Sequence, residues 1–81
     1  TPVFLAKNVE ILKAWSVGAN AQHTRLKIND GISTWDGIAF GQQLDSISGR
    51  YQDLVYSLLV NNWRGKKAIN LKVLDLQSSR T

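Results

Sequence analysis

The chain has 81 residues, of which 43% are hydrophobic and 20% are charged, and its formal net charge is +4. This composition predicts one globular domain rather than a disordered chain. The absence of cysteine excludes a disulfide framework and a thiolate metal site, and it is compatible with a reducing cytoplasm, where we expect the protein to be.

The sequence carries no signal for a membrane or for export. The longest nearly apolar run, Leu54 to Val60, is far shorter than the ~20 residues that a bilayer-spanning helix requires. Thr1-Pro2-Val3 does not begin a secretory signal, and the chain contains no methionine. We therefore expect no membrane contact and one domain over residues 1–81, either a processed product or, in preference, a piece of a longer polypeptide.

The positive charge excess lies in one stretch of the chain. Residues 61–74 contain four bases and no acid: Arg64, Lys66, Lys67 and Lys72. The six remaining bases balance the six acids. A localised cluster attracts polyanions more strongly than a dispersed excess of the same size does. A solvated basic loop is the alternative that the charge pattern leaves open.

Alternation of apolar and polar residues predicts β-strands along most of the chain. In the second predicted strand, Leu26 and Ile28 alternate with Arg25 and Lys27, and Asp30-Gly31 after them predicts a tight turn. The alternating faces predict a core made of Val9, Ile11, Leu26, Ile28, Ile38, Phe40, Leu58, Ile69, Leu71 and Val73. In the first strand the alternation changes phase near Leu12, which predicts a β-bulge there; we assign Trp15 to the core.

The order of the predicted elements is that of the OB-fold. The alternation lapses between Gly41 and Asp53, where Gln42 to Ile47 predicts one short helical turn. Asn61 to Lys67 predicts a polar hairpin connection between the last two strands. We therefore predict an all-β, five-stranded OB-fold Greek-key barrel with a short helical turn between strands three and four. A small SH3-like barrel is the main alternative, although it usually lacks an insert at that place.

The residue sets that catalysis requires are missing. His23 is the only histidine, and it begins the polar face of a strand, so we interpret it as exposed and idle. The six carboxylates are scattered singly, and no phosphate-binding loop is present. The chain alone is therefore predicted to be no enzyme, with no catalytic residue, no metal site and no cofactor.

The aromatic and basic residues predict binding of a single-stranded nucleic acid. OB-folds bind oligonucleotides across strands two and three, framed by the loops between strands one and two and between strands four and five. Stacked bases and neutralised phosphates both contribute to such binding. The predicted contacts are Arg25, Lys27 and Trp35 on one polar face of strands two and three, and Trp63, Arg64, Lys66 and Lys67 in the last loop. The alternatives are that Trp35 caps the core, that Trp63 packs on its own strands, and that the cations are merely solvated.

Several stretches resemble the carboxy-terminal OB domain of RecJ-type exonucleases, in the same order and spacing. They are Asp36 to Gly41, Asp53 to Leu58, Asn61 to Gly65 and Leu71 to Leu76, with Val9 to Gly18 and Thr24 to Ile28 fitting the opening strands. The most specific part is the Asn-x-Trp-Arg-Gly hairpin, followed by the strand that contains Asp75. Asn62 and Asn70 depart from the family pattern, and Gly41 to Gln52 matches little of it.

The resemblance implies a parent protein that degrades single-stranded DNA from the 5′ end in DNA repair and recombination. Such proteins use Mn²⁺ or Mg²⁺ ions held by DHH-type catalytic domains, whose motifs this sequence lacks. The resemblance therefore implies a single-stranded-DNA-binding module whose partners are DNA and the catalytic domains of the parent chain. The alternative that stays open is a domain that packs on the catalytic domains with little contact to nucleic acid.

Overall fold

Five strands and one short 3-10 turn make up the fold. The computed structural model describes residues 2–79, apart from the side chain of Trp63. The elements are β1 (Phe4–Val17), β2 (His23–Asn29), β3 (Thr34–Ala39), a 3-10 turn (Leu44–Ser46), β4 (Tyr51–Trp63) and β5 (Lys66–Ser78). This order confirms the predicted succession of three strands, a helical turn and two strands.

The strands close into a barrel in the order β1-β2-β3-β5-β4. Neighbouring strands are antiparallel except β3 and β5, which run parallel and pair Gly37 with Leu71 and Ile38 with Lys72. The barrel closes where the first half of β1 pairs with β4. The architecture confirms the prediction of an OB-type barrel.

β1 pairs with two strands because it bends at two bulges. Its register with β2 shifts between Ile11 and Lys13, which confirms the bulge predicted near Leu12. A second shift, in the pairing with β4, lies where Asn8 adopts a positive φ of 55° and donates its N–H to Asp53 Oδ1 at 2.8 Å. An extra residue in one strand bends that strand and lets the sheet curl.

The barrel interior is mostly apolar. Its buried cluster consists of Val9, Leu26, Ile28, Ala39, Leu54, Leu71 and Val73. The buried Gln52 donates its amide to the carbonyls of Ser48 and Gly49. Among the described residues, every buried side-chain polar atom has a hydrogen-bond partner. Most of the predicted core is therefore confirmed, and Ile11 is half-buried. Ile38 is buried too, but on the outside of the sheet, where it pairs with Arg25 and Lys72.

Three residues predicted in the core are exposed. Phe40, Leu58 and Ile69 are 47%, 46% and 51% exposed. Phe40 follows the end of β3 on the outer side of the sheet, and the other two lie where β4 and β5 run past the barrel. Leu54 and Ala39, which were absent from the predicted core, are fully buried instead.

The inward and outward faces of β3 are the reverse of those predicted. Leu26 pairs with Gly37 and Ile28 pairs with Trp35, and paired residues share a face of the sheet. Gly37 faces inward because the barrel is narrow at its level: a Cβ there would lie 3.0 Å from Ile28 Cδ1. Since small residues fill this narrow interior, the large apolar residues of β3 indicated the wrong face.

Candidate nucleic-acid interface

Residues of β1, β2, β3 and β5 form one continuous surface on the outside of the barrel. Two rows of paired residues cross it: Trp15, Arg25, Ile38 and Lys72 in one, and Lys13, Lys27 and Asp36 in the other. Residues paired across neighbouring strands lie on the same face, and the buried Leu26 and Ile28 occupy the opposite one. We call the two rows, together with Phe40, the outer face.

The outer face is positively charged. Its four bases and one acid give it a net charge of +3. Lys27 Nζ lies 2.8 Å from Asp36 Oδ1, and both side chains are about half exposed. An ion pair this exposed contributes at most about 1 kcal/mol, so a phosphate can replace the carboxylate at Lys27. Arg25 and Lys72 add exposed positive charge in the neighbouring row.

Two aromatic rings lie among these cations. Trp15 is partly exposed, and Lys13 Nζ lies 6.0 Å from the centroid of its ring, at the outer limit of a cation–π contact. Phe40 lies at the other end of the outer face and contacts the His23 ring edge-on, with 5.3 Å between the centroids. Exposed rings beside cations allow bases to stack while the phosphates are neutralised.

His23 fixes the position of Phe40. Its Nδ1 accepts a hydrogen bond from the Gly41 N–H at 2.7 Å. Beside it, Thr24 Oγ1 donates to the carbonyl of Gln42 at 2.7 Å. Both bonds tie the chain that follows β3 to the start of β2. The prediction of an idle His23 is therefore wrong, because the imidazole holds one end of the outer face in place.

Trp35 does not lie on the outer face. It packs against the core from the inner side, at one end of the barrel. The predicted grouping of Trp35 with Arg25 and Lys27 on one face is therefore wrong, whereas the two cations lie on the outer face as predicted. Trp15 takes its place beside Arg25, although the sequence assigned Trp15 to the core. The bulge at Leu12 explains the difference, because one extra residue moves all following side chains to the other face.

Asp30 shapes the turn between β2 and β3. Its Oδ1 accepts the N–H groups of Ser33 and Ile32 at 2.7 and 2.8 Å, and its Oδ2 accepts the Trp35 Nε1–H at 3.0 Å. The bonds from Ser33, Ile32 and Trp35 lower the pKa of Asp30 below its ordinary value, in that order of size. A carboxylate that stays ionised is thus fixed beside Trp35.

β4 and β5 continue past the barrel as a two-stranded arm, residues 58–69. Pairing between β1 and β4 ends at Phe4 and Tyr56, whereas β4 and β5 stay paired as far as Trp63 and Lys66. The turn consists of Arg64 and Gly65, with positive φ angles of 50° and 76°, as type I′ hairpin turns require. The predicted loop from Asn61 to Lys67 is therefore a ribbon with a two-residue turn.

The tip of the arm brings the predicted basic residues together. Arg64, Lys66 and Lys67 are all exposed there. Lys66 pairs with Trp63 and Lys67 with Asn62, so the two lysines lie on opposite sides of the ribbon. The side chain of Trp63 lies outside the described part of the structure. Contact between nucleic acid and these four residues stays a prediction.

Neither a metal cluster nor a membrane-spanning helix occurs in the described residues. Within residues 2–79, no three His, Asp or Glu side chains lie close enough together to hold a metal ion. Within the same range, no helix is long and apolar enough to cross a membrane.

The chain is similar to a known family and to a solved structure. The model of the RecJ OB domain matches residues 1–75. The crystal structure of RecJ in complex with Mg²⁺ from Thermus thermophilus matches with a TM-score of 0.70 and 20% identity, over 99% of this chain and 12% of that one. No curated protein sequence matches the chain. The structural likeness shows the fold, and the family match extends over most of the sequence: the chain belongs to the RecJ OB domain family.

Proposed function

We propose that this chain is the single-stranded-DNA-binding module of a RecJ-like 5′–3′ single-strand-specific exonuclease that acts in DNA repair and recombination in the cytoplasm. The outer face is the observation that supports the proposal. The rings of Trp15 and Phe40 lie there among four bases and one acid, which together carry a net charge of +3. The module holds the strand. Hydrolysis would belong to the catalytic domains of the parent chain, which would use Mn²⁺ or Mg²⁺. The OB domain would lie in the carboxy-terminal part of that parent chain.

Bases and phosphates would contact different residues of the outer face. Trp15 and Phe40 offer ring surfaces on which bases stack, and stacking tolerates any sequence because every base has a π-face. Arg25 lies opposite Trp15 in the register, and Lys72 lies in the same row. A phosphate next to a stacked base can therefore be neutralised without moving the base. Arg64, Lys66 and Lys67 at the arm tip would hold the strand as it leaves the barrel.

A second candidate function is packing against the catalytic domains of the parent chain. Val3 and Leu5, next to the pairing of β1 with β4, are 57% and 62% exposed. Exposed aliphatic side chains that lie close together are typical of a protein contact. In this alternative the OB domain would bind little DNA, and its cations would be solvated.

Titration of a labelled single strand with the 81-residue chain at several salt concentrations distinguishes the two functions. DNA binding predicts measurable affinity at low salt, with the logarithm of affinity falling by ~0.7 per contacted phosphate for each unit of log salt. Packing predicts no salt-sensitive affinity. A duplex of the same sequence is the control, and it should bind more weakly because its bases are not free to stack on Trp15 or Phe40.

A further inference from the structure

The barrel is open at the end where the arm leaves it. A cavity of about 110 Å³ lies at this opening, and its mostly apolar lining includes Trp35, Tyr56, Leu58 and Leu71. One charged residue, Asp30, completes the wall. We call this cavity the mouth. It lies inside the sheet, whereas the outer face lies on the opposite side of the same strands.

The volume of the mouth limits its occupant to about one ring. Pockets for drug-sized ligands measure roughly 300–1,000 Å³, and an apolar cavity of about 150 Å³ can hold benzene. The 110 Å³ of the mouth, open on one side, therefore suits one six-membered ring whose edge stays in solvent. A pyrimidine fits this description better than a purine does.

The aromatic residues of the mouth favour a flat occupant. Tyr56 stacks on Phe4 with 5.5 Å between the ring centroids and 28° between the planes. Trp35 contributes a second ring from β3, which β5 separates from the strand of Tyr56. Planar rings gain more from contact with aromatic rings than branched aliphatic side chains do.

Asp30 gives the mouth a hydrogen-bond acceptor. Its Oδ2 accepts the Trp35 Nε1–H, and a carboxylate oxygen has room for a second donor. The lowered pKa of Asp30 keeps the group ionised at neutral pH, so it accepts and does not donate. Carboxylates accept from the N4 amino group of cytosine, whereas thymine presents an oxygen at the corresponding position.

The arm supplies positive charge on the same side as the mouth. Leu58 pairs with Leu71, Val60 with Ile69, and Asn62 with Lys67, so alternation puts Lys67 on the side of the ribbon that carries Leu58 and Leu71. Between Leu54 and Leu74 the sequence contains no acid. Lys67 lies four residues from Leu71, which lines the cavity. An apolar cavity with a lysine farther along the same side is complementary to a ring that carries a phosphate, whereas a neutral peptide would not use the cation.

We propose that the mouth binds a cytosine base of the single strand, with the N4 amino group donating to Asp30 and an adjacent phosphate contacting Lys67. The inference rests on the proposed DNA-binding function, and it adds a base preference that stacking on the outer face does not provide. It also gives Trp35 a role as a wall of the base site.

A comparison of the affinities for two homopolymers tests the proposal. Oligodeoxycytidylate and oligothymidylate of about a dozen nucleotides, within the length that one OB-fold covers, are titrated into the 81-residue chain at neutral pH. The unsubstituted chain should bind the cytosine strand about two- to ten-fold more tightly, as one solvent-exposed hydrogen bond of ordinary net strength implies. Asp30→Asn should bring this ratio to about one, because its Nδ2 cannot accept a hydrogen bond while its Oδ1 can still accept from the turn. Asp45→Asn, the same change in the exposed 3-10 turn away from both surfaces, should leave the ratio unchanged.

A second pair of variants gives a result that does not depend on the turn. Leu58→Trp should narrow the mouth and abolish the preference, whereas Leu59→Trp, on the opposite side of the same strand, should retain it. Three results would overturn the inference alone. They are equal affinity of the unsubstituted chain for both strands, equal effects of the two Asn variants, and a preference that survives Leu58→Trp. If the chain binds neither strand at low salt, the proposed function fails together with the inference.

Discussion

Trp15 lies on the outer face because one extra residue in β1 reverses the alternation. If a base stacks on it, Trp15→Ala should weaken single-strand binding by about 1–3 kcal/mol. The dependence of affinity on salt should stay the same, because stacking displaces no counterions. Trp15→Phe is the matched control, since it keeps a ring and should keep most of the affinity. Titrations at several salt concentrations measure both quantities, and a folded Trp15→Ala variant that binds like the parent contradicts the assignment.

The ionisation of Asp30 should make the free energy of unfolding depend on pH. Its folded-state pKa is lowered, so its contribution is fully present above the ordinary aspartate value of about 3.9 and is lost as the pH falls through the folded-state pKa. Asp30→Asn should therefore be less stable than the parent at pH 7, and the difference in Tm should shrink on acidification. Thermal unfolding followed by circular dichroism measures this difference, and a gap that stays constant down to about pH 2.5 contradicts the prediction.

Substitutions at the tip of the arm test whether this element contacts DNA. Replacing Lys66 and Lys67 with Gln and Arg64 with Asn removes three charges, and Asn tolerates the positive φ of the turn. If all three residues contact phosphates, the slope of log affinity against log salt should flatten by about two units. The barrel should stay folded, because the arm extends beyond its core. An unchanged slope would show that DNA does not reach the arm tip.

Local sequence predicted some elements well and others poorly, for physical reasons. β2 has large apolar residues on one face and charges on the other, so its alternation showed both faces correctly. In β3 the inward side is occupied by Gly37 and Ala39, because the barrel leaves no room there, and apolar content then indicated the outside. In the arm, alternation continues where no other strand covers it, so Leu58 and Ile69 were predicted to be buried.

For the candidate site, local alternation predicted two of the four cations on the outer face but not their aromatic neighbours. Arg25 and Lys27 follow from the clean alternation of β2. The predicted faces of Trp15 and Trp35 were both wrong because each depends on a long-range feature. For Trp15 this feature is the bulge in β1, and for Trp35 it is the narrow interior beside β3. Lys72 joins the outer face only through the parallel pairing of β3 with β5. A contact between strands so distant in sequence leaves no local pattern.

The stability of the whole molecule should depend on the buried interior of the barrel. Leu54→Ala removes a fully buried side chain from the barrel and should cost about 2–5 kcal/mol. Phe40→Ala should cost well below the roughly 3–5 kcal/mol expected for a buried phenylalanine, because nearly half of that side chain is in solvent. Urea unfolding of both variants gives the comparison. Equal losses, or a larger loss for Phe40→Ala, would contradict the division between core and outer face.

A pair of double variants tests whether the outer face binds single-stranded DNA. Arg25→Ala with Lys72→Ala removes two charges from the outer face, and Lys7→Ala with Arg50→Ala removes two charges elsewhere on the barrel. The net charge changes by the same amount in both variants, and the second also removes the ion pair of Arg50 with Glu10. The salt slope of single-strand binding should flatten by about 1.4 units in the first variant and stay near the parent value in the second. Equal slopes in the two variants, or a flatter slope in the second alone, would show that the single strand does not bind to the outer face.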